Sequence, residues 1–150
     1  LGALRGSLTY SRFFPTGPLP DDLAGAFMKR IRANAFVPLA PEEDESTHHG
    51  WCSIADPMDT DLDHEKVFMN EYLCLGVRID SWVVPKPLLA AHLRAAEASL
   101  LERKGLESLG RKAKADLKLA VLKKLRKQLV PATKQIDLVW NTSAGVARFF

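Results

Sequence analysis

Apolar side chains recur every four residues from Asp21, at Leu23, Phe27 and Ile31 of DDLAGAFMKRIRANAF. That spacing predicts a helix with one buried stripe, and the acids at its start suit the positive end of the helix dipole. Ahead of it, SLTYSRFF (residues 7–14) predicts a strand with Leu8 and Tyr10 on one face, broken by PTGPLP. Behind it, FVPL predicts a short strand, and APEEDESTHHG predicts a polar surface loop that holds His48, His49 and Gly50. Period two resumes in GWCSIA and again from Val67 to Val84, where Val67, Met69, Leu73, Leu75, Val77 and Ile79 share one face.

VPKP ends that strand, and Pro87 suits the first turn of a helix predicted from about Leu88 to Arg103. ERKG closes it, with basic residues in the last turn and Gly105 free to adopt a left-handed cap. A second helix is predicted from Gly110 to Leu129, stopped by Pro131. IDLVW, NTSAG and VARFF then read as a β-hairpin. The class expected is α+β, a single domain over 1–150. Its sheet packs against one short helix and is extended by a projecting helical hairpin at about 87–130.

Of the 150 residues, 47% are hydrophobic and 26% charged, a globular composition in which about two thirds of the unfolded surface is buried on folding. No run of eighteen apolar residues and no signal-peptide pattern is present, so the expected location is cytoplasmic. GVARFF ends the chain in a strand-like run, so part of a longer protein is expected to follow. Cys52 and Cys74 match no zinc spacing and are expected to be small buried hydrophobes.

Charge changes the picture more than composition does. Residues 101–134 hold eleven basic and three acidic side chains, a local +8 against −5 for the remainder. In LGRKAKADLKLAVLKKLRKQLVP (residues 109–131), Leu117, Val121, Leu122, Leu125 and Leu129 fall in one arc at 100° per residue. Lys112, Lys123, Arg126 and Lys127 cluster opposite, while Lys114 and Lys118 fall on the apolar side near the start, as at a protruding tip. From Arg111 to Lys127 only Asp116 is available to pair. Such uncompensated repulsion predicts a polyanionic partner held by its phosphate backbone, without base reading. With no aromatic residue in the run, duplex contact is expected ahead of stacking on a single strand.

A second stretch, Glu42 to Glu65, holds nine acids, three histidines and no Lys or Arg. Asp59, Asp61 and Asp63 imitate the start of a calcium loop, but His64 and Asn70 stand where Gly and Glu are required. An acidic surface loop is the expectation. The rival is a metal-dependent nuclease using Asp56, Asp59, Asp61, Asp63, His64 and Glu65. Another is a protein-interaction module whose basic hairpin docks on an acidic partner. No GxSxG setting supports a Ser-His-Asp triad, and His92 is expected to be a packing or surface residue.

The order strand-helix-strand, GW, an extended strand ending RIDSWVVP, a helix, LGRKAKADLK, a Leu-rich basic helix with a proline stop, and a strand ending in Trp resembles the N-terminal part of RdgC, the recombination-associated family of bacteria. The resemblance implies duplex DNA binding with little sequence preference, a ring-shaped homodimer with a positive central hole, restraint of RecA-type strand exchange, and association with the nucleoid. By position, Arg111, Lys112 and Lys114 match the family's basic GRK.K segment near the tip of its finger-like helices, and Pro131 matches its closing proline. After that proline, PATKQ departs from the family, which often has an aromatic residue there. The exonuclease label attached to the family is not carried over, since no catalytic constellation is visible. The expected phosphate contacts are Arg111, Lys112, Lys114, Lys123, Arg126, Lys127 and Lys134, with no catalytic residue, metal or cofactor.

Overall fold

A computed structural model describes residues 2–4 and 9–150. The fold is α+β, with a six-stranded sheet and four helices among the described residues. In chain order the elements are β1 (Ser11–Phe13), α1 (Leu23–Ala33), β2 (Thr47–Cys52), α2 (His64–Val67), β3 (Phe68–Met69), β4 (Tyr72–Ser81), α3 (Lys86–Lys104), α4 (Arg111–Arg126), β5 (Ala132–Asn141) and β6 (Val146–Phe149). The sheet order is β1-β6-β5-β4-β2, with β3 paired to β4. Two compact units result: residues 1–38, 48–80 and 133–150 carry the body of the sheet, and residues 39–47 and 81–132 carry the two long helices.

The core of the first unit follows from the alternation of side chains along its strands. Leu73 and Leu75 of β4, Trp140 of β5 and Ala147 of β6 are buried with Met28 and Ile31 of α1, Leu62 and Val67. The helix is placed as its four-residue spacing requires, although Leu23 and Phe27 are only half-buried and Met28 completes the stripe. Asp22 lies just outside the helix and caps it, accepting from the Gly25 amide at 2.9 Å.

Three expectations are corrected here. FVPL forms no strand; the backbone pairs with the sheet through an isolated bridge between Ala35 and Trp51, and Pro38 lacks an amide to continue a ladder. His48, His49 and Gly50 lie within β2 and not in a loop, and Gly50 runs so close to Phe36 that a Cβ there would stand 2.5 Å from the Phe36 Cα. The long strand from Val67 is interrupted, since Val67 ends α2 and a two-residue turn at Asn70-Glu71 reverses the chain between Met69 and Tyr72. Asn70 takes φ 55°, a left-handed conformation that asparagine tolerates better than most residues. Of the strand predicted for residues 7–14, β1 retains Ser11–Phe13, and residues 7 and 8 lie outside the described residues.

The opposite faces of β4 and β5 carry a polar network spelled by two similar triplets, Arg78-Ile79-Asp80 and Gln135-Ile136-Asp137. Arg78 donates to both Asp80 oxygens at 2.9 and 2.6 Å and stacks 4.2 Å from the Phe36 ring. Thr133 donates to Asp80 at 2.8 Å, and Gln135 donates to Asp137 at 2.6 Å and to the Ile54 carbonyl at 2.9 Å. Burial alone would raise the Asp80 carboxyl, yet the Arg78 guanidinium and the Thr133 hydroxyl hold it below its ordinary value. A depressed native pKa means that the group stabilises the fold above its unfolded value, about 3.9, and that this contribution is lost as pH falls through the native one. Asp80→Asn is therefore expected to flatten the acid limb of a urea-stability profile between about pH 5 and pH 2; an acid slope identical to that of the wild type would contradict it.

Cys52 and Cys74 are buried free thiols, as expected, and burial pushes the Cys52 thiol up to about 11. Such a group is inert as a nucleophile near neutral pH.

Candidate nucleic-acid interface

In the second unit, Pro87 sits in the first turn of α3, and Gly105 ends that helix at φ 61°, both where the sequence places them. A short loop with the buried Leu109 leads to Gly110, the N-cap of α4. On α4, Val121 and Leu125 are buried and Leu117 and Leu122 are half-buried, so the expected apolar arc is the packed one. The helix stops at Arg126, earlier than predicted. Gln128 and Leu129 make tighter bonds to the carbonyls three residues back, and Pro131 disfavours the helical region at Val130. No residue of α3 is fully buried, and His92 is exposed on it.

The cationic residues of α4 divide into two groups with different surroundings. Toward its C-terminal end, Lys123 pairs with Asp44 at 2.7 Å and Lys127 with Glu42 at 3.0 Å. Both carboxyls lie below their usual range because these lysines hydrogen-bond to them. Arg126 departs furthest from expectation: it is 5% exposed and donates one guanidinium nitrogen to the Glu43 carbonyl at 2.7 Å and the Glu45 carbonyl at 3.2 Å. It is a structural anchor and not part of an open cationic face. The acidic run EEDE, remote in sequence, lies against the basic turns, so Asp116 is not their only available partner.

Toward the N-terminal end the charge is open. Arg111, Lys112 and Lys118 are exposed and have no acidic partner among the described residues. Lys114, also exposed, pairs with Glu97 of α3 at 3.2 Å. Gly110 supplies no side-chain cap and the first turn contains no acid. The first amides of α4 therefore have neither an intrahelical partner nor a side-chain cap, and the cations beside them are repelled by the helix dipole. Lys124 is exposed on the second half of α4, and Lys134 is exposed on β5 in the first unit.

The acidic residues after β2 serve the chain itself. Asp56 accepts from the Met58 amide, Asp59 from the Asp61 amide and Asp63 from the Lys66 amide, at 2.9, 3.1 and 2.8 Å. Asp59 also pairs with Lys66 at 2.9 Å. Among the described residues, no group of three or more His, Cys, Asp or Glu is arranged to hold a metal ion. Nor is any helix long and apolar enough to cross a membrane.

The sequence alone did not reveal the Arg126 anchor or the docked EEDE run. The available signal was compositional: four consecutive acids and four bases within residues 123–127, equal in number and opposite in sign.

The chain is thus an α+β protein with a basic helix whose open charge is concentrated at its N-terminal end. No protein-family model matches the chain, and no curated protein matches it. The resemblance to RdgC rests on the residues quoted above.

Proposed function

We propose that this chain binds the phosphate backbone of duplex DNA without sequence preference, through the first two turns of α4. Following the resemblance to RdgC, it acts in recombination as a homodimer, occupying DNA that a RecA-type filament would otherwise use. What carries the reading is the electrostatic mismatch at the start of α4. Arg111, Lys112 and Lys114 crowd a helix N-terminus that already bears partial positive charge, with no acidic cap to offset it. A phosphate there would accept from the free amides and neutralise the side chains together.

This makes stability and binding respond in opposite directions. Lys112→Glu is expected to stabilise α4 by about 0.3–1 kcal/mol, because an acid suits the first turn, while weakening duplex binding equally on unrelated sequences. Urea unfolding beside fluorescence anisotropy of two unrelated labelled duplexes tests both halves. A variant that gains stability and binds as tightly as the wild type would sink the proposal. The same duplexes incubated with Mg²⁺ or Mn²⁺ test the nuclease alternative. Shortening abolished by Asp61→Ala and Asp63→Ala would replace a binding role with a catalytic one.

A further inference from the structure

We infer that the Glu42–Glu45 segment is a built-in competitor of the polyanion, docked on the C-terminal half of α4 in the place a phosphate backbone would take. The inference rests on the proposed duplex binding and concerns the same helix. Lys123 and Lys127 are four residues apart, so their side chains leave one face of α4, and each already holds a carboxylate oxygen within 3.0 Å. Glu42 and Asp44 occupy those two ammonium groups as two phosphates would, as anionic oxygens two residues apart on a bent segment of chain.

What keeps the segment there is Arg126. Its guanidinium holds the backbone on both sides of Asp44, through the Glu43 and Glu45 carbonyls, and it is itself buried. Backbone anchoring of this kind is insensitive to the charge of the neighbouring side chains. A duplex that displaced the two exposed carboxylates would still find them tethered within a few ångströms, well inside the Debye length at physiological salt. Lys123 and Lys127 therefore contribute little to polyanion binding while the segment is docked. The site is centred on Arg111, Lys112 and Lys118, with Lys114 beside them already paired to Glu97.

The test compares the wild-type chain with Glu42→Gln/Asp44→Asn, which removes two charges and retains Arg126 and its carbonyl partners. Both substituted carboxylates are exposed, so the variant is expected to keep its fold, which circular dichroism checks. Anisotropy of a labelled duplex is measured across a salt series. The variant is expected to bind more tightly, with the slope of log K against log salt steeper by about 1.8, two further phosphates at about 0.9 each. Adding Lys123→Gln/Lys127→Gln to the variant is expected to remove the gain, whereas the same pair in the wild-type chain leaves the slope unchanged. If the wild-type chain binds duplex and the variant's slope matches it, the competitor role is wrong although the binding function stands. If neither chain binds at low salt, the proposed function fails and this inference with it.

Discussion

Replacing Leu75 with alanine is expected to lower the free energy of unfolding by about 3–5 kcal/mol, and replacing Met69 with alanine by no more than about 0.5 kcal/mol. The two residues occupy the same hydrophobic period in the sequence, yet the fold treats them differently. Leu75 is 1% exposed in the middle of β4, among the side chains of α1, Trp140 and Val67. Its truncation leaves a void that a close-packed sheet-helix interface refills poorly. Met69 precedes the Asn70 turn and is 45% exposed. Urea unfolding of the two variants measures the difference directly. Equal losses would mean that the strand runs unbroken from Val67, as its periodicity predicts, and that the turn is wrong.

The second large effect is expected at Arg126. Arg126→Ala is expected to cost about 2–4 kcal/mol, because two charge-assisted hydrogen bonds to the Glu43 and Glu45 carbonyls are lost together with a buried side chain. Arg126→Lys is expected to recover part of this, since one ammonium could donate to both carbonyls as the single guanidinium nitrogen does but is the more strongly hydrated group to bury. Neither variant is expected to lower the salt slope of duplex binding, and Arg126→Ala, which frees the acidic segment from its anchor, is expected to steepen it. Urea unfolding supplies the first quantity and anisotropy the second. A stable Arg126→Ala chain that binds duplex with a lowered salt slope would put the guanidinium on the DNA and not under the acidic segment.

Local chemistry made much of the fold legible. Asp22, Pro87 and Gly105 mark helix ends by mechanisms that act within a few residues, and the turn at 142–145 is set by Asn141, which accepts from the Ala144 amide, and by Gly145 at φ 64°. The interruption at Asn70 was hidden because apolar residues flank it at the right parity on both sides. The candidate interface was half legible. Helical geometry put Lys112, Lys123, Arg126 and Lys127 on one polar face, but only tertiary structure brings residues 42–45 against three of them, from some eighty positions away. A single helix read alone cannot show what covers it, and so Arg126 passed for surface charge.

The central claim is that the start of α4, and not its whole basic length, meets the phosphates. The most direct measurement is the salt dependence of duplex binding, by anisotropy on two unrelated sequences, for the wild-type chain and for Arg111→Gln/Lys112→Gln. The account predicts that the double variant loses affinity equally on both duplexes and that its slope falls by about 1.8. An unchanged slope, or a loss confined to one sequence, would contradict it.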